Sequence, residues 1–143
     1  MARTDPVLQM LAEVDLFEGI SRADLRRIYT AGKEVDFAAG EDLIIEGRQG
    51  GRFFLILEGQ VDVSIRGRTL RSFGPGEYLG EISLIDGQPR SASAVAVSPV
   101  RTWSLSSWNF KPLLRTYPSV AEKIMLLLCR RLRNAEAAAG TVS

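Results

Sequence analysis

The spacing of the apolar residues changes twice along the chain and divides it into three parts. From Val7 to Tyr29 these residues recur every three or four positions, as in helices with one buried face. Ser21 with Asp24 three positions later is similar to a capping box, and Gly32 is a suitable helix stop. We therefore expect N-terminal helices over residues 5–32, which either pack on the core of the next part or dock a partner.

The middle part, residues 33–105, has the pattern of short strands. Val61, Val63 and Ile65 alternate with polar residues, whereas Phe53 to Leu57 form an unbroken apolar run that is typical of a buried strand. Turn residues such as Gly74-Pro75-Gly76 bound each segment. About eight strands separated by such turns predict a mainly β fold, an eight-stranded antiparallel β-roll or jelly-roll-like barrel with flanking helices.

The helical spacing returns over residues 107–137. Ser106 or Ser107 can cap a helix that carries Pro112 in its first turns, and Pro118 opens a last helix. The predicted apolar side of that last helix is formed by Val120, Ile124, Leu127, Leu128 and Leu132. No repeat or linker interrupts the pattern, so we expect residues 1–143 to form a single domain.

The charge balance limits the classes of partner that the protein can bind, and the cysteine count indicates its cellular compartment. Eighteen basic and seventeen acidic residues nearly cancel, which argues against direct binding of nucleic acid or of an anionic membrane. No apolar run approaches the roughly 20 residues that span a bilayer. The single cysteine, Cys129, excludes an intramolecular disulfide and fits a reducing compartment, so we expect a cytoplasmic protein.

The chain contains no histidine, and this removes several kinds of mechanism. Ser–His and Cys–His nucleophile pairs and imidazole metal sites are excluded, and a lone cysteine cannot form a thiolate metal cluster. No pair of acidic residues stands out as a catalytic pair. We therefore expect that the protein is not an enzyme and holds neither a metal nor a cofactor.

Residues 80–92, G-E-I-S-L-I-D-G-Q-P-R-S-A, carry the candidate chemistry. Gly80 allows a close-approach turn beside the Glu81 carboxylate, and Arg90 follows nine positions later, before Ser91 and Ala92. A carboxylate, a guanidinium, a hydroxyl and backbone N–H groups on one loop suit a ligand with both a sugar hydroxyl and a phosphate. The alternative is an exposed ion pair between Glu81 and Arg90, which would contribute only about 0–1 kcal/mol.

This segment resembles the phosphate-binding cassette of the cyclic-nucleotide-binding domain family, whose pattern is roughly G-E-aliphatic-small-L, a short spacer and P-R-small-A. The order of helices, eight-stranded roll and helices is also similar to the whole domain of that family, over roughly residues 10–135. Gly40, Gly47 and Gly59 support the similarity, because they stand where the family turns its first hairpins. These glycines are expected to be structural, each serving a positive φ or a close backbone approach.

The resemblance implies a role for each residue of the cassette. Glu81 would accept a hydrogen bond from the ribose 2′-hydroxyl, and Arg90 would pair with a phosphate oxygen. Ser91 and Ala92 would add a hydroxyl and N–H groups near the phosphate, beside a short helix that starts after Gly80. The predicted ligand-binding set is Leu79, Gly80, Glu81, Ile82, Ser83, Arg90, Ser91, Ala92 and Arg131.

The base would lie between an apolar floor and the last helix, which the resemblance implies is a lid. Arg131 aligns with a helix arginine that the catabolite activator family places near the ligand; otherwise Arg130, Arg131 and Arg133 form a solvated helix end. Two hydroxyl positions that recognise adenine in that family are Ala135 and Glu136 here. The floor, or alternatively ordinary core, is formed by Val63, Leu70, Phe73 and Leu79.

The ligand implied by the resemblance is cAMP or cGMP. In the family a threonine after the arginine is linked to cGMP and an alanine to cAMP; Ser91 is neither, and cAMP is our first choice.

The implied function is that of a regulatory module whose last helix closes over the nucleotide and signals to an effector protein. Only seven residues follow Glu136, so we expect no output domain within this chain, which is either a domain cut from a larger protein or a free-standing one. The alternative is a degenerate member of the family that binds no nucleotide. Such a protein would act as an interaction or homodimerisation module through its apolar last helix.

Overall fold

The computed structural model describes residues 5–49 and 51–139, apart from the side chains of Ile82 and Ser83. Its helices are α1 (Pro6–Glu13), α2 (Arg22–Ala31), α3 (Glu81–Asp86), α4 (Ser107–Thr116) and α5 (Pro118–Ala139), with a short 3-10 turn at Asp15–Phe17. Its strands are β1 (Lys33–Phe37), β2 (Asp42–Ile44), β3 (Arg52–Glu58), β4 (Val61–Ile65), β5 (Arg68–Phe73), β6 (Tyr78–Leu79), β7 (Ser93–Ala96) and β8 (Val100–Ser106).

The eight strands form two antiparallel sheets of four strands each. One sheet has the order β1-β8-β3-β6, and the other has the order β2-β7-β4-β5. Helices α1, α2, α4 and α5 flank the roll, and α3 interrupts it between β6 and β7. The predicted fold, an eight-stranded antiparallel roll with flanking helices, is confirmed.

Strand β3 explains why part of the sequence is continuously apolar. Phe53 and Leu55 belong to the core that the first sheet shares with the helices. Phe54 and Ile56 belong to a second core, between the two sheets. Because both faces of β3 are buried, the alternation seen in β4 is absent from this strand.

Helix α2 begins and ends at the capping residues that the pattern indicated. The Ser21 side chain accepts a hydrogen bond from the backbone N–H of Asp24 at 3.2 Å, and α2 ends before Gly32. The fully buried Trp103 of β8 donates from Nε1 to the carbonyl oxygen of Tyr29 at 3.1 Å. The end of α2 is thereby fixed to the first sheet.

Helix α5 differs from its predicted apolar side. Val120 and Ile124 are buried, and Leu128 packs against the same core, but Leu132 is 58% exposed. Met125 and Leu126 are exposed as well. A helix of 22 residues is about 33 Å long, and its buried contacts with the roll and the other helices lie in its first half. Within the described residues, no helix is both long and apolar enough to cross a bilayer.

We predict that Gly59→Ala destabilises the fold more than Gly40→Ala. Both glycines have positive φ, +95° and +90°, so both variants carry a backbone cost of about 1 kcal/mol. A Cβ at Gly59 would also collide with the carbonyl oxygen of Pro99 and lie 2.9 Å from Cγ2 of Val100, whereas one at Gly40 meets open space. Overpacking adds about 1–3 kcal/mol at position 59 alone. Urea unfolding of the two variants measures the difference, and equal losses would contradict the close contact.

Candidate functional site

A cavity of about 340 Å³ is lined by every residue of the predicted ligand-binding set whose side chain the structure describes. This volume lies within the range of small-molecule sites, about 300–1,000 Å³. From the predicted set, its lining includes Leu79, Gly80, Glu81, Arg90, Ser91, Ala92 and Arg131. The predicted residues Ile82 and Ser83 fall in α3, and their side chains lie outside the described part.

Gly80 brings the cassette loop against β3. Its φ is +96°, and a Cβ on this residue would lie 2.6 Å from the carbonyl oxygen of Arg52 and 3.2 Å from Nη1 of Arg90. Only glycine combines this φ with such a close approach to another backbone. The turn leads directly into α3, which begins at Glu81.

Arg90 is held through both its side chain and its backbone. Nη1 donates to the carbonyl oxygen of Gly80 at 2.8 Å, and Nη2 donates to that of Arg52 at 3.0 Å. The Arg90 backbone N–H donates to the carbonyl oxygen of Arg48, and its own carbonyl accepts from Gly47. The guanidinium is therefore fixed in one orientation at the cavity wall.

The charge of Arg90 is buried without an ion-pair partner among the described residues. The residue is 6% exposed, and no carboxylate of the described residues lies within 4.0 Å of its side-chain nitrogens. Burial lowers the pKa of the Arg90 guanidinium, while the negative charge of Glu81 opposes this shift. An arginine stays protonated in proteins nevertheless. A buried cation bonded only to neutral carbonyl groups is a suitable partner for an anion that enters the cavity.

Glu81 pairs with the last helix and not with Arg90. Its Oε1 lies 3.0 Å from Nη2 of Arg131, and Glu81 is 5% exposed. The alternative of an exposed Glu81–Arg90 pair is therefore wrong. Arg131 is not a purely solvated residue, whereas Arg130 and Arg133 are exposed at the helix surface. The pair connects α5 to the start of α3 across the cavity.

The apolar part of the lining contains the whole of the predicted floor. Val63 and Phe73 come from β4 and β5, Leu70 comes from β5, and Leu79 comes from β6. Leu79 also belongs to the core between the sheets. That these residues lie under a base stays a prediction.

Several residues of the cavity were missed by the sequence reasoning, and these are Ile44, Arg71, Tyr78, Ser93 and Ala94. Tyr78 donates from its hydroxyl to Oδ1 of Asp15 at 3.0 Å, and burial, reinforced by Asp15, raises the pKa of Tyr78. The place of Arg71 in the lining could have been predicted from the sequence. It stands two positions before Phe73 on one strand, and such residues lie on the same face.

Comparisons with known proteins agree with this geometry. The sequence model described as "Cyclic nucleotide-binding domain" matches residues 34–117. The "Cyclic AMP receptor protein" of Thermus thermophilus is 37% identical over 116 residues, 78% of this chain and 50% of that protein. The "CRP-like cAMP-activated global transcriptional regulator" of Mycobacterium tuberculosis is 30% identical over 130 residues, 87% of this chain and 58% of that protein.

A solved structure of a related protein has the same fold. The crystal structure of the Thermus thermophilus Catabolite Activator Protein matches with a TM-score of 0.79 and 33% identity, over 87% of this chain and 61% of that one. The resemblance inferred from the cassette is confirmed. The chain spans only about half of the two curated relatives, one of which is named a transcriptional regulator. The expectation that this chain does not contact nucleic acid therefore stays a prediction.

We predict that the Glu81–Arg131 pair restrains the second half of α5. Arg131→Ala should raise amide hydrogen exchange there about fivefold, equivalent to about 1 kcal/mol for a half-exposed pair. Arg133→Ala removes the same side chain two positions later, at an exposed site, and is the matched control. Equal exchange in both variants would show that the pair does not hold the helix.

Proposed function

This chain belongs to the cyclic nucleotide-binding domain family, and on that basis we propose that it is a regulatory module that binds a cyclic nucleotide in the cavity described above. We take cAMP as the first ligand, because two relatives carry cAMP in their names. The module would act on an effector protein or on an output domain outside the part described here.

The observation that carries the proposal is the buried, anchored Arg90. Two of its N–H donors are used by the carbonyl groups of Gly80 and Arg52. A guanidinium has five such donors, so others remain for a phosphate oxygen. Because the side chain is already fixed, little conformational freedom is lost when the anion binds.

Glu81 can serve the ribose and the last helix at the same time. Arg131 lies against Oε1 of Glu81, and an ionised carboxylate has a second oxygen and further lone pairs. We assign the remaining acceptor capacity to the ribose 2′-hydroxyl. The ligand and α5 would then share one carboxylate, which makes the position of α5 sensitive to occupancy of the cavity.

The regulatory step in this proposal is a change in the position or rigidity of α5. A ligand shifts a conformational equilibrium only by its differential affinity for the two states. The shared carboxylate and the cavity contact of Arg131 supply that difference. The proposal also includes a non-catalytic role, since one relative is named a transcriptional regulator and another a receptor protein. It includes a cytoplasmic location, which suits the free and exposed Cys129.

A second candidate function is that of a homodimerisation module. The observation in its favour is the exposed apolar surface of α5, formed by Met125, Leu126 and Leu132. This surface differs from the side predicted from the sequence, because Ile124 is buried and Leu128 packs on the core. The candidate needs no nucleotide, so calorimetry separates it from the first.

We predict that Arg90→Ala lowers the affinity for cAMP and cGMP at least about 100-fold. The variant removes a charged hydrogen-bond donor from a buried site, which typically costs about 2–5 kcal/mol. Isothermal titration calorimetry of the wild-type chain and the variant measures the loss. Arg90→Lys keeps the charge but not the paired carbonyl contacts, and an intermediate affinity is expected for it.

The matched control is Arg48→Ala, an exposed arginine outside the cavity lining. Circular dichroism establishes that each variant is folded. If the folded wild-type chain binds neither nucleotide, the first function is wrong, and a dimeric mass in sedimentation equilibrium would then favour the second.

We predict that Glu81 recognises the ribose 2′-hydroxyl. The wild-type chain should bind cAMP about tenfold more tightly than 2′-deoxy-cAMP, because a hydrogen bond to a charged group contributes about 1.5–3 kcal/mol. In Glu81→Ala the two ligands should bind equally. The ratio of the affinities for cAMP and 2′-deoxy-cAMP is compared between the wild-type chain and Glu81→Ala. This comparison cancels any effect of losing the Arg131 pair that is common to both ligands. A ratio that survives the substitution would assign the hydroxyl to another residue.

A further inference from the structure

Arg71 places a positive charge on the inner, cavity-lining face of the second sheet. In the β4–β5 pairing, Val61 is opposite Phe73 and Val63 is opposite Arg71. Val63, Arg71 and Phe73 all line the cavity. Ser72, between the last two, points to the other face, where its hydroxyl donates to Asp62. The strand alternation therefore assigns Arg71 to the same face as Val63 and Phe73.

The guanidinium of Arg71 is positioned by two neighbours. Its Nη2 forms an ion pair with Oε2 of Glu77, and its central carbon lies 4.3 Å from the centroid of the Phe73 ring. The other oxygen of Glu77 accepts from the backbone N–H of Gly74 at 2.9 Å, which fixes the carboxylate in turn. Among the described residues, Glu77 is the one hydrogen-bond acceptor of Arg71, so further N–H donors are available.

A register shift in β5 brings two adjacent residues to the lining of the cavity. The register shifts between Val63 and Ser64, so that Leu70 is the extra residue on β5. Leu70 and Arg71, although adjacent, both line the cavity. Bulges commonly redirect a side chain beside a binding site.

The simpler explanation is that Arg71 protects a sheet edge. Strand β5 is at the edge of its sheet, and an inward charge discourages pairing with another chain. That role requires only a charge, and it does not require a guanidinium held against the Phe73 ring at the lining of the cavity, where the Arg71 side chain is 61% exposed. The two roles also predict different results, because a charge that only protects the edge would not change the affinity for any ligand.

We propose that Arg71 contacts the base of the bound nucleotide and favours a 6-oxopurine. This inference rests on the proposed function. With the phosphate at Arg90 and the ribose at Glu81, the base lies on the apolar lining that includes Leu70 and Phe73. Guanine presents two acceptors, O6 and N7, to a guanidinium that only donates, whereas adenine presents N7 beside an N6 donor. Arg71 therefore raises the affinity for cGMP relative to cAMP.

The test is calorimetric titration of the wild-type chain and Arg71→Ala with cAMP, cGMP and cIMP. The inosine nucleotide cIMP keeps O6 and N7 but lacks the 2-amino group of guanine. We expect Arg71→Ala to weaken cGMP and cIMP about tenfold, the value of one good arginine–guanine contact, and to change cAMP less than twofold. Because cIMP has no 2-amino group, its loss cannot be attributed to a contact of that group with Ser91.

Arg68→Ala is the matched control, since it removes an exposed arginine from the same edge strand at a position that does not line the cavity. It should leave all three affinities unchanged. If Arg71→Ala changes the three nucleotides equally, or changes only solubility, Arg71 does not read the base and the inference is overturned while the proposed function stands. If the wild-type chain binds none of them, both are overturned.

Discussion

The site depends on one buried cation whose hydrogen bonds go to main-chain carbonyl groups. Arg90 donates to Gly80 and Arg52, so its side chain joins the cassette loop to the start of β3. These bonds satisfy two donors but leave the charge without a carboxylate partner among the described residues. Since burying a charge without an ion-pair partner is costly, an anion in the cavity would stabilise the folded chain as well as occupy the site.

Strand β3 connects the anchored Arg90 to both hydrophobic cores. Phe53 and Leu55 contact the core beneath the helices, and Phe54 and Ile56 contact the core between the sheets. One strand is thus shared by the layer that carries α5 and the layer that lines the cavity. A shift of the cassette relative to β3 would disturb both cores, so the position of Arg90 is held rigidly.

The charged side chains of the cavity come from separate elements, and each has its own support. Glu81 begins α3 and pairs with Arg131 of α5, while Arg71 of β5 is supported by Glu77. In the proposed complex, phosphate, ribose and base are each recognised by a different part of the chain. In that complex, a substitution at Arg71 would change the contact with the base and leave the contact between the cassette and the phosphate in place.

The sequence by itself determined the strands, the flanking helices and the cassette, because strand alternation, turn glycines and helix caps are local properties that residues such as Ser21 and Gly59 express wherever they stand. Most of the cavity lining was predicted through the resemblance of the cassette to a known family. Only the tertiary structure decided that Glu81 pairs with Arg131, that Arg71 faces the cavity, and that Leu132 is exposed. Each of these depends on how two elements pack against each other in the fold. The spacing of residues along a single element does not predict that packing.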